Sequence, residues 1–349
     1  MRESKTDPFP ETKIATFRAR LLAWYDAHAR DLPWRKSRDP YCVWVSEIML
    51  QQTRVAAVIE HYHQFLRRFP TVKKLAAARE ASVLAAWSGL GYYRRARMLH
   101  ATAKVLVREL GGKFPVTAQA WRELPGIGRY TAAAIASIAF GEAVALVDGN
   151  VERVLQRVTG QRFAGEELWR QADRLLDRER PGDFNQAMME LGATVCTPRA
   201  PICRMCPVVE LCSTRGELAG SSRAARQKKR EIHYALDRRD GQIFLVQRPH
   251  DARLMAGMWE LPEVDAAVAH AREKQVPPSA RNERTMPWFT VKHSITVTDY
   301  TVSVWHQPVQ ADVRGEWIAV ERLRRVALTG LARKILRKAK IVAAPGSRV

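Results

Sequence analysis

Four cysteines fall within one short stretch, Cys196, Cys203, Cys206 and Cys212, separated by six, two and five residues. Thiols this dense on a single segment act as metal ligands rather than as the dispersed pairs of a secreted disulfide framework. Pro198, Pro201 and Pro207 stiffen the run CTPRAPICRMCPVVELC, which suits an iron-sulfur cluster. Tetrahedral zinc uses the same ligands, usually as two separated pairs, and only Cys203 and Cys206 form a close pair. The spacing favours the cluster and leaves zinc open.

A second constellation is LPGIGRY, residues 124–130, ahead of the helix-forming run TAAAIASIAF. Gly126 and Gly128 permit unusual backbone conformations and close approach, and they offer free amides at a helix start, where an anion such as phosphate is stabilised. Glycines between helices also simply turn the chain. Further on lies VDGNVERV, in which Asp148 is either a helix N-cap or a carboxylate placed to stabilise a cationic sugar. The third constellation is SEIMLQQT, residues 46–53. Glu47 sits on a mostly apolar helix. Turned inward, its carboxyl keeps its proton to higher pH and becomes a usable acid; turned outward, it is an ordinary surface glutamate. Gln51 and Gln52 are polar groups able to reach base edges; paired glutamines on a helix are otherwise simply solvated.

The elements that must carry these groups differ along the chain. From residue 14 to about 195 apolar residues recur at helical spacing, broken near Pro70, Gly111-Gly112, Pro125 and Pro181-Gly182, so this half reads as all-helical. Residues 216–232, with the run SSRAARQKKR, lack an apolar face and read as an exposed basic linker. Beyond it, Gln242 to Gln247, Trp288 to Val291 and Ile295 to Trp305 read as strands of a second domain. The 349 residues are too many for one comfortable core. Lysine and arginine number 57 against 36 acidic residues, a net charge of +21 with a pI near 10.3, which points to a polyanionic partner. No stretch approaches a membrane span and the N-terminus lacks an apolar signal core, so the expectation is a soluble cytoplasmic protein without a membrane partner.

Taken together, SEIMLQQT, GLGYYRRARML (89–99), LPGIGRYTA, VDGNVERV, MELGATVC and the cysteine spacing resemble the helix-hairpin-helix DNA glycosylase superfamily. Within it they resemble the MutY-type adenine glycosylases more than the endonuclease III type, and the likeness covers roughly residues 14–215. The position before Thr131 separates the branches: the endonuclease III type carries a lysine that attacks the sugar and cleaves the strand through a Schiff base. Here it is Tyr130, which implies a glycosylase without lyase activity. The resemblance implies a two-lobed all-α catalytic domain (1–215) with a 4Fe-4S cluster on 196–212, the linker, and a smaller Nudix-like α/β domain (233–349).

Residue by residue, the resemblance makes Glu47 the acid that protonates the departing adenine. It makes Asp148 the carboxylate that stabilises the oxocarbenium ion or bonds to it, with Tyr130 and Asn150 orienting the pair. Gln52 and Tyr92 match residues inserted into the duplex, and Trp34, Arg35 and Glu190 match the lining of an adenine pocket. Arg199 and Arg204 are expected on a DNA-facing cluster loop. GMWELP (257–262) resembles the Nudix-like domain that reads oxidised guanine, while the glutamate run of a Nudix hydrolase is missing. His293 stands where the family often has a Phe-Ser-His motif, here Val291-Lys292-His293; it is otherwise an ordinary strand histidine. The implied partner is double-stranded DNA with adenine opposite 8-oxoguanine or guanine, bound by a monomer on chromosomal DNA.

Overall fold

The computed structural model describes residues 9–218, 228–252, 254–265, 286–295, 298–310 and 312–342. The helices are α1 (Glu11–His28), α2 (Pro40–Leu50), α3 (Val55–Arg68), α4 (Val72–Ala76), α5 (Glu80–Trp87), α6 (Arg94–Leu110), α7 (Ala118–Arg122), α8 (Arg129–Phe140), α9 (Gly149–Thr159), α10 (Gly165–Leu175), α11 (Pro181–Thr194) and α12 (Gly330–Lys338). The strands are β1 (Lys228–Ala235), β2 (Arg238–Arg239), β3 (Gln242–Gln247), β4 (Trp259–Glu260), β5 (Glu263–Val264), β6 (Phe289–Ile295), β7 (Thr298–Trp305) and β8 (Glu316–Ala319). Two compact units result. One comprises Met1–Tyr62, Phe69–Ala76 and Ala101–Ser222; the other comprises His63–Arg68, Ala77–His100 and Arg223–Val349.

In the first unit, α2 starts where Asp39 accepts hydrogen bonds from the amides of Tyr41 and Cys42 and Pro40 supplies a preset φ. Val43 to Met49 are then all buried, so this helix runs through the interior rather than over it. It packs on α8, whose buried Ala132, Ala133, Ala134 and Ala136 keep that helix slim. The helix ahead of α8 is short, with Thr117 capping Ala120 and the helical turns ending at Arg122. Helix α11 lies against α1, α8 and α9. Its approach to α9 depends on Gly192, because a β-carbon there would stand 2.6 Å from the Asn150 β-carbon.

The second unit holds two four-stranded sheets, ordered β5-β1-β7-β6 and β2-β3-β4 with β8 also on β3. Strands β1 and β7 run parallel from the Lys228–Thr298 pair to the Ala235–Trp305 pair, and β6 pairs antiparallel with β7. A core of side chains such as Leu245, Val302, Val304, Leu328 and Ile335 lies beneath them. Strand β3 matches its expected bounds. The Trp288 and Ile295 segments become β6 and β7, with residues 296–297 outside the described ones. The reading of 216–232 as linker needs correction at its end, since Lys228–Ile232 form the first half of β1. Ladder hydrogen bonds to β7 use the backbone alone, so exposed basic side chains do not oppose them. Residues 219–227 lie outside the described ones.

Candidate active site

Glu47 projects from the buried side of α2 and is 5% exposed. The outward-facing alternative is therefore gone. The Tyr130 hydroxyl, at the start of α8, donates to Glu47 Oε2 over 2.6 Å. Burial pushes the Glu47 carboxyl up to about 7; the nearby Asp148 charge adds to this, while the Tyr130 hydrogen bond and Arg35 work against it. Burial, together with the Glu47 and Asp148 charges, raises the Tyr130 hydroxyl well above its ordinary value, so it stays protonated and remains a donor. The neighbouring Gln51 amide donates to Thr131 Oγ1 over 3.1 Å, tying the end of α2 to α8.

Asp148 is the N-cap of α9, as one of its two readings requires. Its Oδ1 accepts from the amides of Asn150 and Val151 at 2.9 and 2.8 Å, and its Oδ2 accepts from the Asn150 side chain at 2.8 Å. Asn150 is held in turn, since Arg153 Nη2 donates to its Oδ1 over 2.9 Å. The same guanidinium donates to Gly192 O and, through Nε, to Cys196 O, each at 2.7 Å. An unbroken chain of hydrogen bonds thus joins the backbone of the first cysteine to the Asp148 carboxylate. Arg153 lies inside the quoted VDGNVERV motif, but only the packing of α11 on α9 shows what it grips.

Glu190 on α11 is 1% exposed and clamped by two arginines: Arg30 Nε and Nη2 donate at 2.6 and 2.8 Å, and Arg35 Nη2 at 2.8 Å. Burial alone would raise its carboxyl, but these bonds outweigh it and hold the group at about 2. Arg30 was not singled out from sequence; an arginine two residues before a Leu-Pro-Trp run carries no local signal. Trp34 is buried with its ring edge-on to Tyr62 at 5.5 Å, and Arg35 lies 5.3 Å over Tyr25.

The hairpin divides its two glycines. Gly126 has φ +74, the left-handed region that glycine alone adopts freely. Gly128, expected to need similar freedom, has φ −88 and ψ 172, which any residue adopts, and a β-carbon there would meet nothing within 4 Å. As N-cap of α8 it provides no side chain, which leaves the first amides of that helix open to a ligand.

Residues 45–172 match the model of the HhH-GPD superfamily base excision DNA repair proteins, and residues 233–338 match that of the NUDIX domain. The human adenine DNA glycosylase is 43% identical over 72% of this chain, which spans 58% of that protein. The rat adenine DNA glycosylase is 37% identical over 93% of this chain, which spans 78% of it. The chain belongs to the adenine DNA glycosylase family. A solved thermostable thymine-DNA glycosylase, 31% identical, superposes with a TM-score of 0.55 over 58% of this chain and 97% of its own.

Other residues matched to this glycosylase family occupy distinct places. Gln52 is exposed with φ +54 and Tyr92 is 45% exposed with φ +48, both left-handed conformations that non-glycine residues seldom hold. The two belong to different compact units. All four clustered cysteines line one cavity, together with Arg157, Val158 and Leu191. Arg157 donates to Cys196 Sγ at 3.3 Å and to the carbonyls of Thr197 and Pro198. Among the described residues, no three His, Cys, Asp or Glu side chains gather tightly enough to grip a single metal ion. Arg199 and Arg204 are exposed on this loop, as are Ile202 and Met205, an apolar feature not anticipated from sequence. His293 is half-buried on β6 opposite Tyr300, and burial followed by the Lys334 charge lowers its pKa. Among the described residues no helix is long and apolar enough to cross a membrane.

Proposed function

We propose that this chain is a monofunctional adenine DNA glycosylase that hydrolyses the N-glycosidic bond of adenine paired with 8-oxoguanine or guanine and leaves an abasic site. The observation that carries this reading is a buried carboxyl, Glu47, that accepts a hydrogen bond from Tyr130 and is raised to about 7 by burial, within electrostatic reach of the capped carboxylate Asp148. Adenine leaves poorly as an anion. A proton passed from Glu47 to N7 lets it leave neutral, and Asp148 faces the positive charge that grows on the deoxyribose. Water then adds to the anomeric carbon and returns a proton. This is the work of a glycoside hydrolase divided between one acid and one carboxylate.

Tyr130 stands where a lyase needs an amine, so no Schiff base forms and the strand stays whole. Neither carboxylate reaches a base stacked in duplex DNA, so the adenosine must rotate out. Gln52 and Tyr92 are each read as residues that enter the duplex. Both Glu190 oxygens are engaged, so Glu190 serves the adenine pocket by fixing Arg35, beside Trp34. The α8 N-terminus at Gly126 and Gly128 takes a backbone phosphate.

Cys196, Cys203, Cys206 and Cys212 would hold a 4Fe-4S cluster. Four thiols from one short, proline-stiffened loop line a single cavity, which suits such a cluster. The cluster supplies a structural cross-link; the chain itself presents Arg199 and Arg204 to phosphate. Catalysis belongs to residues 1–215 and mismatch reading to 233–349, including His293, with the protein acting as a cytoplasmic monomer on chromosomal DNA.

The test is excision from duplexes carrying adenine opposite 8-oxoguanine, guanine, thymine or cytosine, scored with and without alkali. Breaks that need alkali, occur opposite the two guanines and vanish in Glu47→Gln and Asp148→Asn support the reading. Breaks without alkali overturn its monofunctional character, and no breaks at any adenine overturn the substrate.

A further inference from the structure

The turn that carries Tyr92 is short, strained and tied down from one side. Gly89, Gly91 and Tyr92 all have positive φ, and the residues flanking the turn, Ser88 and Tyr93, are 4% and 3% exposed. Both reach a single carbonyl far along the chain, since Ser88 Oγ donates to Leu328 O at 2.9 Å and Tyr93 OH at 3.0 Å. Ser88 Oγ accepts in turn from Arg333 Nε of α12 at 2.8 Å. Residues 88–93, Leu328 and Arg333 lie in one compact unit. Leu328 is itself registered against the GMWELP segment, because Trp259 N donates to Ala327 O and Thr329 N donates to Trp259 O, each at 2.9 Å.

Within the turn, Arg95 completes the support. Its guanidinium lies 5.5 Å from the Trp87 ring and 5.4 Å from the Tyr92 ring, and its Nη2 donates to the carbonyls of Leu90 and Gly91. A half-exposed aromatic ring is thus stacked on a cation that also holds the backbone of its own turn.

Arg333 is an expensive choice for this position. Its Nη2 is buried without a hydrogen-bond partner among the described residues, and no salt bridge to it is formed among them. Burying a cation without a carboxylate opposes folding, so a contribution to stability does not account for it. What Arg333 does make is the contact to Ser88, and through it a rigid path from the C-terminal sheets to the wedge turn.

We propose that Arg333 and Ser88 are positioning residues that set the conformation of Tyr92, so that the C-terminal domain governs opposite-base preference through this turn. This rests on the reading of Tyr92 as a duplex wedge and of the C-terminal domain as the reader of the opposite base. Loss of the clamp lets the turn relax from its left-handed backbone. Tyr92 then inserts poorly beside the orphaned base even though the acid and the carboxylate are intact.

The experiment uses the full chain with its cluster, as wild type and as Arg333→Met, Arg333→Lys, Ser88→Ala, Tyr92→Ala and Tyr92→Ala with Arg333→Met. Single-turnover excision is measured opposite 8-oxoguanine and opposite guanine. In parallel, 2-aminopurine placed beside the opposite base reports unstacking by its emission. Arg333→Met and Ser88→Ala are expected to reduce the preference for 8-oxoguanine by about fivefold and to lower the emission, with partial recovery in Arg333→Lys. In the Tyr92→Ala background, Arg333→Met is expected to add no further loss.

Unchanged preference and emission in Arg333→Met and Ser88→Ala, with both altered in Tyr92→Ala, overturns the clamp and leaves the wedge standing. Losses that multiply in the double variant overturn it as well. If Tyr92→Ala alone changes neither readout, the wedge reading has failed and the clamp with it. Should Arg333→Met fold poorly, Ser88→Ala carries the same test with the loss of one hydroxyl.

Discussion

The Tyr130 hydroxyl donates a 2.6 Å hydrogen bond to Glu47 Oε2, joining the first turn of α8 to the middle of α2. The bond has two effects of opposite sense. It favours the ionised carboxylate, and so draws the Glu47 pKa down from where burial alone would place it. It also fixes which oxygen is occupied, namely Oε2, and under the proposed function Oε1 is the one that carries the proton. The result is an acid balanced near neutrality, where both the protonated fraction and the ability to give the proton up remain useful.

The first prediction concerns pH. With the acid titrating at about 7, single-turnover excision falls as pH rises through that value. Tyr130→Phe removes the interaction that lowers the Glu47 pKa, so the descending limb moves upward, by roughly one unit. A pH–rate profile of both proteins from pH 5.5 to about 9 checks it; a limb that stays in place or moves down contradicts the assignment.

Two buried glutamates should affect stability in opposite directions. Glu47 titrates at about 7 when folded against an ordinary 4.5, so between those values the folded protein holds a proton that the unfolded chain has released. Stability falls as pH rises through that window, and at pH 8 the charge opposes folding by up to about 3 kcal/mol. Glu190 titrates at about 2 and contributes stability above 4.5 that is lost as pH falls through 2. At pH 8, Glu47→Gln should therefore raise the unfolding temperature and Glu190→Gln should lower it, the latter by several degrees. Thermal unfolding of the two variants beside wild type is the measurement.

Gly192→Ala tests the closeness of α9 and α11. The added methyl meets Asn150 Cβ at 2.6 Å and Asn150 Cα at 3.0 Å, so a backbone or Asn150 itself must shift. The expected cost is on the order of 1–3 kcal/mol of stability. Excision should also fall by about tenfold or more as the Asn150 grip on Asp148 loosens, with substrate binding less affected. Activity equal to wild type would show that Asp148 does not need that grip.

Arg153→Met cuts the path from Cys196 O to Asn150 while leaving all four cysteines in place. We expect the visible absorbance of the proposed 4Fe-4S cluster to persist and excision to fall, by roughly tenfold. Oxidative removal of the cluster from the wild-type protein should lower excision through the same path. A loss of absorbance in Arg153→Met that matches its loss of excision would instead make Arg153 a cluster-retention residue.

Local chemistry was legible in the sequence. The Asp148 cap, the glycine turn at Gly126 and the exposed arginines of the cysteine loop each depend on residues within a few positions of one another. A side chain capping an amide two or three residues on, or a left-handed turn, is decided by the chain's immediate neighbours. Family motifs added the proposed roles of these residues, which spacing alone did not suggest.

Burial and partnership were decided only by tertiary packing. Glu47 had an inward and an outward reading until α8 covered α2, and Glu190 was a lone glutamate until Arg30 and Arg35 closed on it. Gly128 looked conformationally special and is not. Lys228–Ile232 looked like linker until β7 supplied a ladder, and residues 77–100 looked like part of the helical half yet gather with the C-terminal sheets. Gly128 apart, the deciding contact in each case joins residues far apart in sequence. The energy of placing a charge or an amide depends on which surfaces meet there, and that information is absent from any single stretch of chain.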